Sequence, residues 1–233
     1  MGAQWKQKHR VAAAGARGRL FGKLAKEIMM AARNGADPSM NSALRMALDA
    51  ARKQSVPRDT VERAIKKGAG LLDGPVNFEM VTYEGFAPHG VAVIVECLTD
   101  NKNRTASSMR VLFRGGQQGA SGSVSWDFTR CGMIEAAPPA GGEDPEEAAI
   151  EAGADDVKPG EDGGSVFVTA PAELHEVARE LTGRGWTTQS AALVWVANNP
   201  AELGETERSE VEAWLTTMDD DDDVQNVYVA LAE

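Results

Sequence analysis

Apolar positions recur every three or four residues in the first third of the chain and shift to strand-like runs beyond it. Phe21, Leu24, Ile28 and Ala32 predict a helix over residues 20–33. Asn34-Gly35 ends it, and Asp37-Pro38 blocks an immediate restart. Leu44, Ala47, Leu48 and Ala51 share one face of a second helix over 41–54. Pro57 suits a first helical turn, and Asp59 and Glu62 favour that end through the helix dipole. A third helix over 57–67 then buries Val61, Ala64 and Ile65 and ends on Lys66, Lys67 and Gly68. Residues 1–19 offer little besides Trp5 to bury, so they read as a flexible arm, and residues 68–75 read as a linker.

From residue 79 the period changes. A short strand at 81–83 precedes a near-continuous β-branched run at 91–98, which predicts a central strand. Thr99-Asp100-Asn101 caps a helix over 104–113, stopped by Gly115 and Gly116, with strands expected at 123–128 and 132–136. Then come a helix at 145–152, strands at 155–157 and 166–169, a helix at 171–181 and a strand at 186–196 with a bulge near Ser190. Residues 132–196 therefore read β-α-β-β-α-β, the split βαβ or ferredoxin-like order. Residues 80–128 supply only β-β-α-β, and a helix at 206–217 with a strand at 224–229 completes a second six-element unit. The fold class expected is α+β with three domains. These are a helical domain (1–75), a discontinuous α/β domain (76–131 plus 205–233) and a ferredoxin-like domain (132–204) inserted in it. A separate C-terminal hairpin is the competing reading.

Charge changes the picture more than composition does. The chain has 233 residues, 42% of them hydrophobic, enough for packed cores. Two cysteines without motif spacing exclude a disulfide scaffold and a cysteine-based zinc site. No apolar run reaches the roughly 20 residues of a membrane helix, and no secretory h-region opens the chain, so a cytoplasmic protein with no membrane partner is expected. The net charge of −11 argues against a polyanionic partner until it is divided. Residues 1–70 hold 15 basic and 5 acidic side chains, net +10, whereas 135–204 are net −11 and 205–233 net −9. A basic head joined to an acidic body points to different partners at the two ends.

Lys and Arg neutralise phosphates and release counterions with little sequence information. The candidate nucleic-acid-binding set in the head is Lys6, Lys8, Arg10, Arg17, Arg19 and Lys23, with Arg63, Lys66 and Lys67 on the third helix. A solvated surface that balances the acidic body is the alternative. Lys102 and Arg104, in the polar loop 99–105 after the central strand, join the set as phosphate contacts, against helix capping and simple exposure. The glycine-rich stretch 115–122 lacks the Lys-Ser/Thr of a P-loop and follows a helix, so it reads as a turn. His9, His89 and His175 have no pairing suited to a metal, Cys97 sits in an apolar strand, and no nucleophile elbow is present. The run Asp219 to Asp223 reads as a solvated turn before the last strand, in preference to a cation site. No catalytic residue, metal, cofactor or small-molecule substrate is expected, and the chain reads as a non-enzymatic monomer or weak dimer.

Several segments together resemble the YebC/PmpR family. They are VPRDTVERAIKKG at 56–68, YEGFAP at 83–88, VAVIVECLTDNKNRTA at 91–106, GSVS at 122–125 and DDVQNVY at 222–228. The resemblance implies an N-terminal helical domain and two α/β domains, one inserted in the other. It also implies nucleic-acid-linked regulation without enzyme chemistry. The action is either DNA-binding transcriptional regulation or work on the ribosome, through ribosomal RNA, that supports translation of proline-rich stretches. The opening Gly2-Ala3-Gln4-Trp5-Lys6 and Ala16-Arg17-Gly18-Arg19 carry fewer basic residues than the family's usual start.

Overall fold

A computed structural model describes residues 14–72 and 77–232. Lys6, Lys8 and Arg10 of the candidate set lie outside the described residues. The chain divides into two compact units, one ending at Asp127 and resuming at Ala197, the other covering Phe128–Val196.

The first unit opens with three helices, α1 (Ala14–Ala32), α2 (Ser42–Lys53) and α3 (Arg58–Gly68). Helix α1 is already formed at residues 14–19, which were expected in the flexible arm. Alanine suits a helix, and Arg19 is held by an ion pair described below. Leu24, Ile28, Ala32, Leu44, Ala51 and Ala64 form a core of their own. The Asn41 side chain caps α2 by accepting from Leu44 N at 3.0 Å, and its amide donates to the carbonyls of Ala31 and Gly35, so one residue joins both helices. At the end of α3 the backbones nearly touch: a Cβ on Gly68 would lie 2.2 Å from Met29 O.

The rest of this unit is a four-stranded antiparallel sheet of β1 (Glu79–Phe86), β2 (Ala92–Thr99), β3 (Gln117–Gln118) and β8 (Val224–Val229), in the order β3-β1-β2-β8. Helices α4 (Lys102–Leu112) and α7 (Glu205–Asp219) cover one face. Val93, Val95 and Cys97 of β2 meet Met109 and Phe113 at α4 and Val211, Leu215 and Met218 of α7 in the core. The layout is ferredoxin-like, but the strand lying between β2 and β3 comes from ahead of them in the chain. The register of β2 against β8 slips at Glu96/Cys97.

The expected strand at 123–128 does not form. Of residues 114–127, Gln117 and Gln118 are the ones that pair with β1, where Gly85 permits the approach: a Cβ there would lie 2.3 Å from Gln117 O. The Glu84 carboxylate then takes the N–H groups of Gly122, Val124 and Ser125 at 2.8 to 2.9 Å, so they are not free for a ladder. The chain turns through a short 3-10 segment, Ser125–Asp127, instead. Burial pushes the Glu84 carboxyl up, but those three donors outweigh it and hold the group below its ordinary value.

The second unit is β4 (Phe128–Ala137), α5 (Pro145–Ala152), β5 (Asp156–Pro159), β6 (Ser165–Thr169), α6 (Leu174–Gly183) and β7 (Thr187–Ala197). Its sheet order β5-β6-β4-β7 is the ferredoxin-like arrangement. Phe167 and Trp186 meet edge to face at 5.0 Å within a core closed by Ile134, Val177 and Leu181. The Trp186 indole N–H donates to Glu143, which also pairs with Arg184. The chain is an α+β protein of seven helices and two four-stranded sheets among the described residues.

Candidate nucleic-acid interface

Helix α3 sorts its residues by face. Ala64 is buried and Val61 and Ile65 are half-buried, so Arg63, Lys66 and Lys67 fall on the outer side. Spacings of three and four residues place these cations within about 100° of the helix surface. All three are exposed, and none has an ion-pair partner among the described residues. Arg17 is exposed as well. Arg58 is paired with Glu62 at 2.8 Å, but both side chains are open to water, which makes such a pair weak.

Helix α1 presents a second row of cations with a different environment. Arg19, Lys23 and Lys26 follow one another at helical spacing and meet the turn between α7 and β8. Arg19 Nη2 lies 2.7 Å from Asp220 Oδ1. Lys23 Nζ donates to the Asp219 carboxylate at 2.9 Å and to its carbonyl at 2.6 Å. Lys26 Nζ donates to Asp223 Oδ1 at 3.1 Å and to the carbonyls of Leu98 and Asp222, and lies 5.5 Å from the centre of the Phe78 ring. The five aspartates were expected to form a solvated turn, and that expectation is corrected. Three of them take the helical domain's cations, because the last strand delivers the turn beside α1.

Asp223 is the centre of this arrangement. Its side chain is 8% exposed. Besides Lys26 it accepts from Arg104 Nη2 at 2.9 Å, from Thr105 Oγ1 at 2.9 Å and from Thr99 Oγ1 at 3.3 Å. Its carbonyl accepts from Leu98 N at 2.8 Å. Burial pushes the carboxyl up, but the hydrogen bonds from Arg104, Lys26 and Thr105 prevail and hold it below its ordinary value. The hydrogen bonds that Arg104 donates to Asp223 and then to Asp100 in turn raise its guanidinium above its ordinary value.

These contacts place the two loop candidates differently. Arg104 is committed to Asp223 and Asp100. Among the described residues Lys102 pairs only with Glu79, and both side chains are more than half exposed, so it stays open to exchange. Asn101 caps α4 by accepting from Arg104 N at 3.1 Å, the capping role set against ligand binding in the sequence. Arg63, Lys66 and Lys67 thus stay outward, whereas Arg19, Lys23 and Arg104 turn inward onto carboxylates.

Three features escaped the sequence reading. Lys26 lies off the apolar stripe of its helix, and the approach of the Asp219–Asp223 turn makes it a half-buried donor. Glu84 carries no pattern that separates it from any strand acid. Trp126 is 73% exposed, and its indole N–H donates to Ser123 O at 3.0 Å. It stands beside a shallow cavity of about 160 Å³ lined by Phe86, Val91, Val124 and Asn199.

Among the other chemistry-bearing groups, His89 sits 2.8 Å from Glu210. Cys97 is fully buried, and burial, with Asp221 and Asp223 nearby, pushes its thiol up to about 12. No group of three His, Cys, Asp or Glu able to hold a metal occurs among the described residues. No helix among them is long and apolar enough to cross a membrane.

Comparison with known proteins places the chain. Residues 2–71 match the TACO1/YebC protein N-terminal domain, and residues 78–231 match the TACO1/YebC second and third domain. The chain belongs to the TACO1/YebC family. A protein of Pseudomonas syringae pv. syringae named "Probable transcriptional regulatory protein" is 61% identical over the full length of both chains. A Polaromonas protein of the same name is 60% identical, again over both full lengths. The crystal structure of a conserved hypothetical protein from Aquifex aeolicus superposes with a TM-score of 0.79 at 43% identity, covering 97% of this chain and 94% of that one.

Proposed function

We propose that this protein is a non-enzymatic regulator of gene expression that binds nucleic acid through the phosphate-facing side of its helical domain. The observation that carries the reading is the outer face of α3, where Arg63, Lys66 and Lys67 stand exposed and without ion-pair partners among the described residues. Three such cations on a domain of net +10 neutralise backbone phosphates and release their counterions. Arg17 and Lys102 are further exposed cations of the same unit, while phosphate repels the acidic second unit. The names of its relatives, at 60% identity and above, favour DNA and transcription as the setting. Ribosomal RNA would satisfy the same cations, because a phosphate contact does not distinguish the two polymers.

Crosslinking the protein to nucleic acid in cells and sequencing what is bound tests the reading, with ribosome co-sedimentation alongside. Enrichment of defined promoter DNA is the expected result. Recovery of ribosomal RNA alone, with the protein travelling on ribosomes, overturns the transcriptional setting in favour of translation. Recovery of neither overturns nucleic-acid binding itself.

A further inference from the structure

We propose that Arg19 and Lys23 on α1 form a second phosphate-binding strip, which the carboxylates of Asp220 and Asp219 occupy in the free protein and which nucleic acid takes over by displacing them. The inference rests on the nucleic-acid reading above and extends it from α3 to a surface that the free structure masks.

Three observations support it. First, the strip meets carboxylates as it would meet phosphates, as charge-assisted contacts of 2.7 and 2.9 Å. Second, the contacts differ in their exposure, and exposure decides which can exchange. In the Arg19–Asp220 pair the side chains are 35% and 52% exposed, and in the Lys23–Asp219 pair they are 11% and 31% exposed. A pair as open to water as Arg19–Asp220 is weak and screened by salt, so a polyanion competes with it readily, and Lys23 follows because its carboxylate partner is far more exposed than Asp223. Lys26 and Asp223 are only 16% and 8% exposed, and Lys26 also holds two carbonyl oxygens, so that contact is the anchor on which α1 stays docked. Third, the pairing of Arg19 is incomplete: its Nε is shielded from solvent and has no acceptor among the described residues. A phosphate offers more acceptor oxygens than the one carboxylate oxygen that Arg19 now contacts.

The exchange balances charge without opening the fold. Asp219 and Asp220 become solvated as phosphates replace them, and Arg19 and Lys23 reach the ligand by side-chain rotation. Lys23 retains its hydrogen bond to the Asp219 carbonyl until it swings away. The acidic turn therefore raises the threshold for binding. A ligand that engages α3 alone leaves the strip closed, and one long enough to reach α1 gains two further contacts.

The test compares the whole chain carrying Asp219→Asn and Asp220→Asn with a control carrying Glu146→Gln and Glu147→Gln, two exposed acids at the start of α5. The control changes net charge equally and frees no cation. Binding to a mixed-sequence DNA duplex and to a single-stranded RNA is measured over a range of salt. The Asp219/Asp220 variant is expected to bind about tenfold tighter near 0.15 M salt, with the slope of log K against log salt steeper by about 1 to 2. Adding Arg19→Ala and Lys23→Ala to that variant is expected to erase the gain. Equal tightening in the control, or no tightening in either, overturns the strip while leaving α3 binding intact. A wild-type chain that binds neither probe instead overturns the nucleic-acid reading itself. The DNA and RNA arms identify which polymer opens the strip.

Discussion

Two rows of cations leave the helical domain from different helices. Arg19, Lys23 and Lys26 on α1 meet Asp220, Asp219 and Asp223, while Arg63, Lys66 and Lys67 on α3 face water. In the sequence both rows are alike: basic residues at helical spacing opposite an apolar stripe. Their fates differ because α1 has two neighbours. Its apolar side packs on α2 and α3, and its cationic side lies against the turn before β8. Helix α3 packs on α1 and leaves its other side open. A net charge of +10 thus overstates the positive surface the domain presents, since part of it is neutralised within the molecule.

The largest expected effect breaks the paired row at its anchor. Asp223→Ala leaves Lys26 half-buried without its carboxylate and removes acceptors from Arg104, Thr105 and Thr99. Losing one partner of a buried ion pair costs about 3–5 kcal/mol, which denaturant melts will read, while binding through α3 persists below the melting range. Next comes the open row. Replacing Arg63, Lys66 and Lys67 by Ala should weaken nucleic-acid binding about a hundredfold near 0.15 M salt and flatten the salt slope by about 3. Because none of the three has an ion-pair partner among the described residues, stability should stay within about 0.5 kcal/mol. An unchanged salt slope places the interface elsewhere.

Acid sharpens the comparison further. Asp223 and Glu84 are both held below their ordinary values, so the unfolded chain takes up their protons first as pH falls. Their contribution to stability is fully present above the ordinary carboxylate range and is lost as pH drops through the lowered folded values. Urea midpoints should hold from neutrality to about pH 5 and then decline below about pH 4, and Asp223→Ala should make that decline shallower. The smallest effect belongs to the exposed pair on α3. Arg58→Ala should cost a few tenths of a kcal/mol by thermal melting, since an exposed i,i+4 pair contributes about 0.3–0.5 kcal/mol.

Much of the fold was legible because it depends on local periodicity. The three helices, the central strand at 92–99 and the β-α-β-β-α-β order of the second unit all follow from spacings of 3.6 and 2 with Gly and Pro at the boundaries. Reading failed at 117–128. Ser123-Val124-Ser125 has strand propensity, but its N–H groups go to the carboxylate of Glu84, some 40 residues earlier in the chain. The two-residue strand at Gln117–Gln118 carries no periodic signal and exists because two glycine-containing segments approach closely. The candidate site was half legible for the same reason. Lys and Arg can be found by type, but whether a cation is free or paired depends on what lies across from it.

The sequence by itself determined which segments become helix or strand, where the charge concentrates, and that Arg63, Lys66 and Lys67 share the outer face of α3. Those properties are set by residues within one or two turns of each other. Only the tertiary structure decided that Asp219 to Asp223 is a docking surface, that Lys26 and Asp223 are its anchor, and that Arg19, Lys23 and Arg104 are already engaged. Each of those contacts joins residues more than a hundred positions apart, brought together when β8 pairs with β2 and carries the preceding turn to α1.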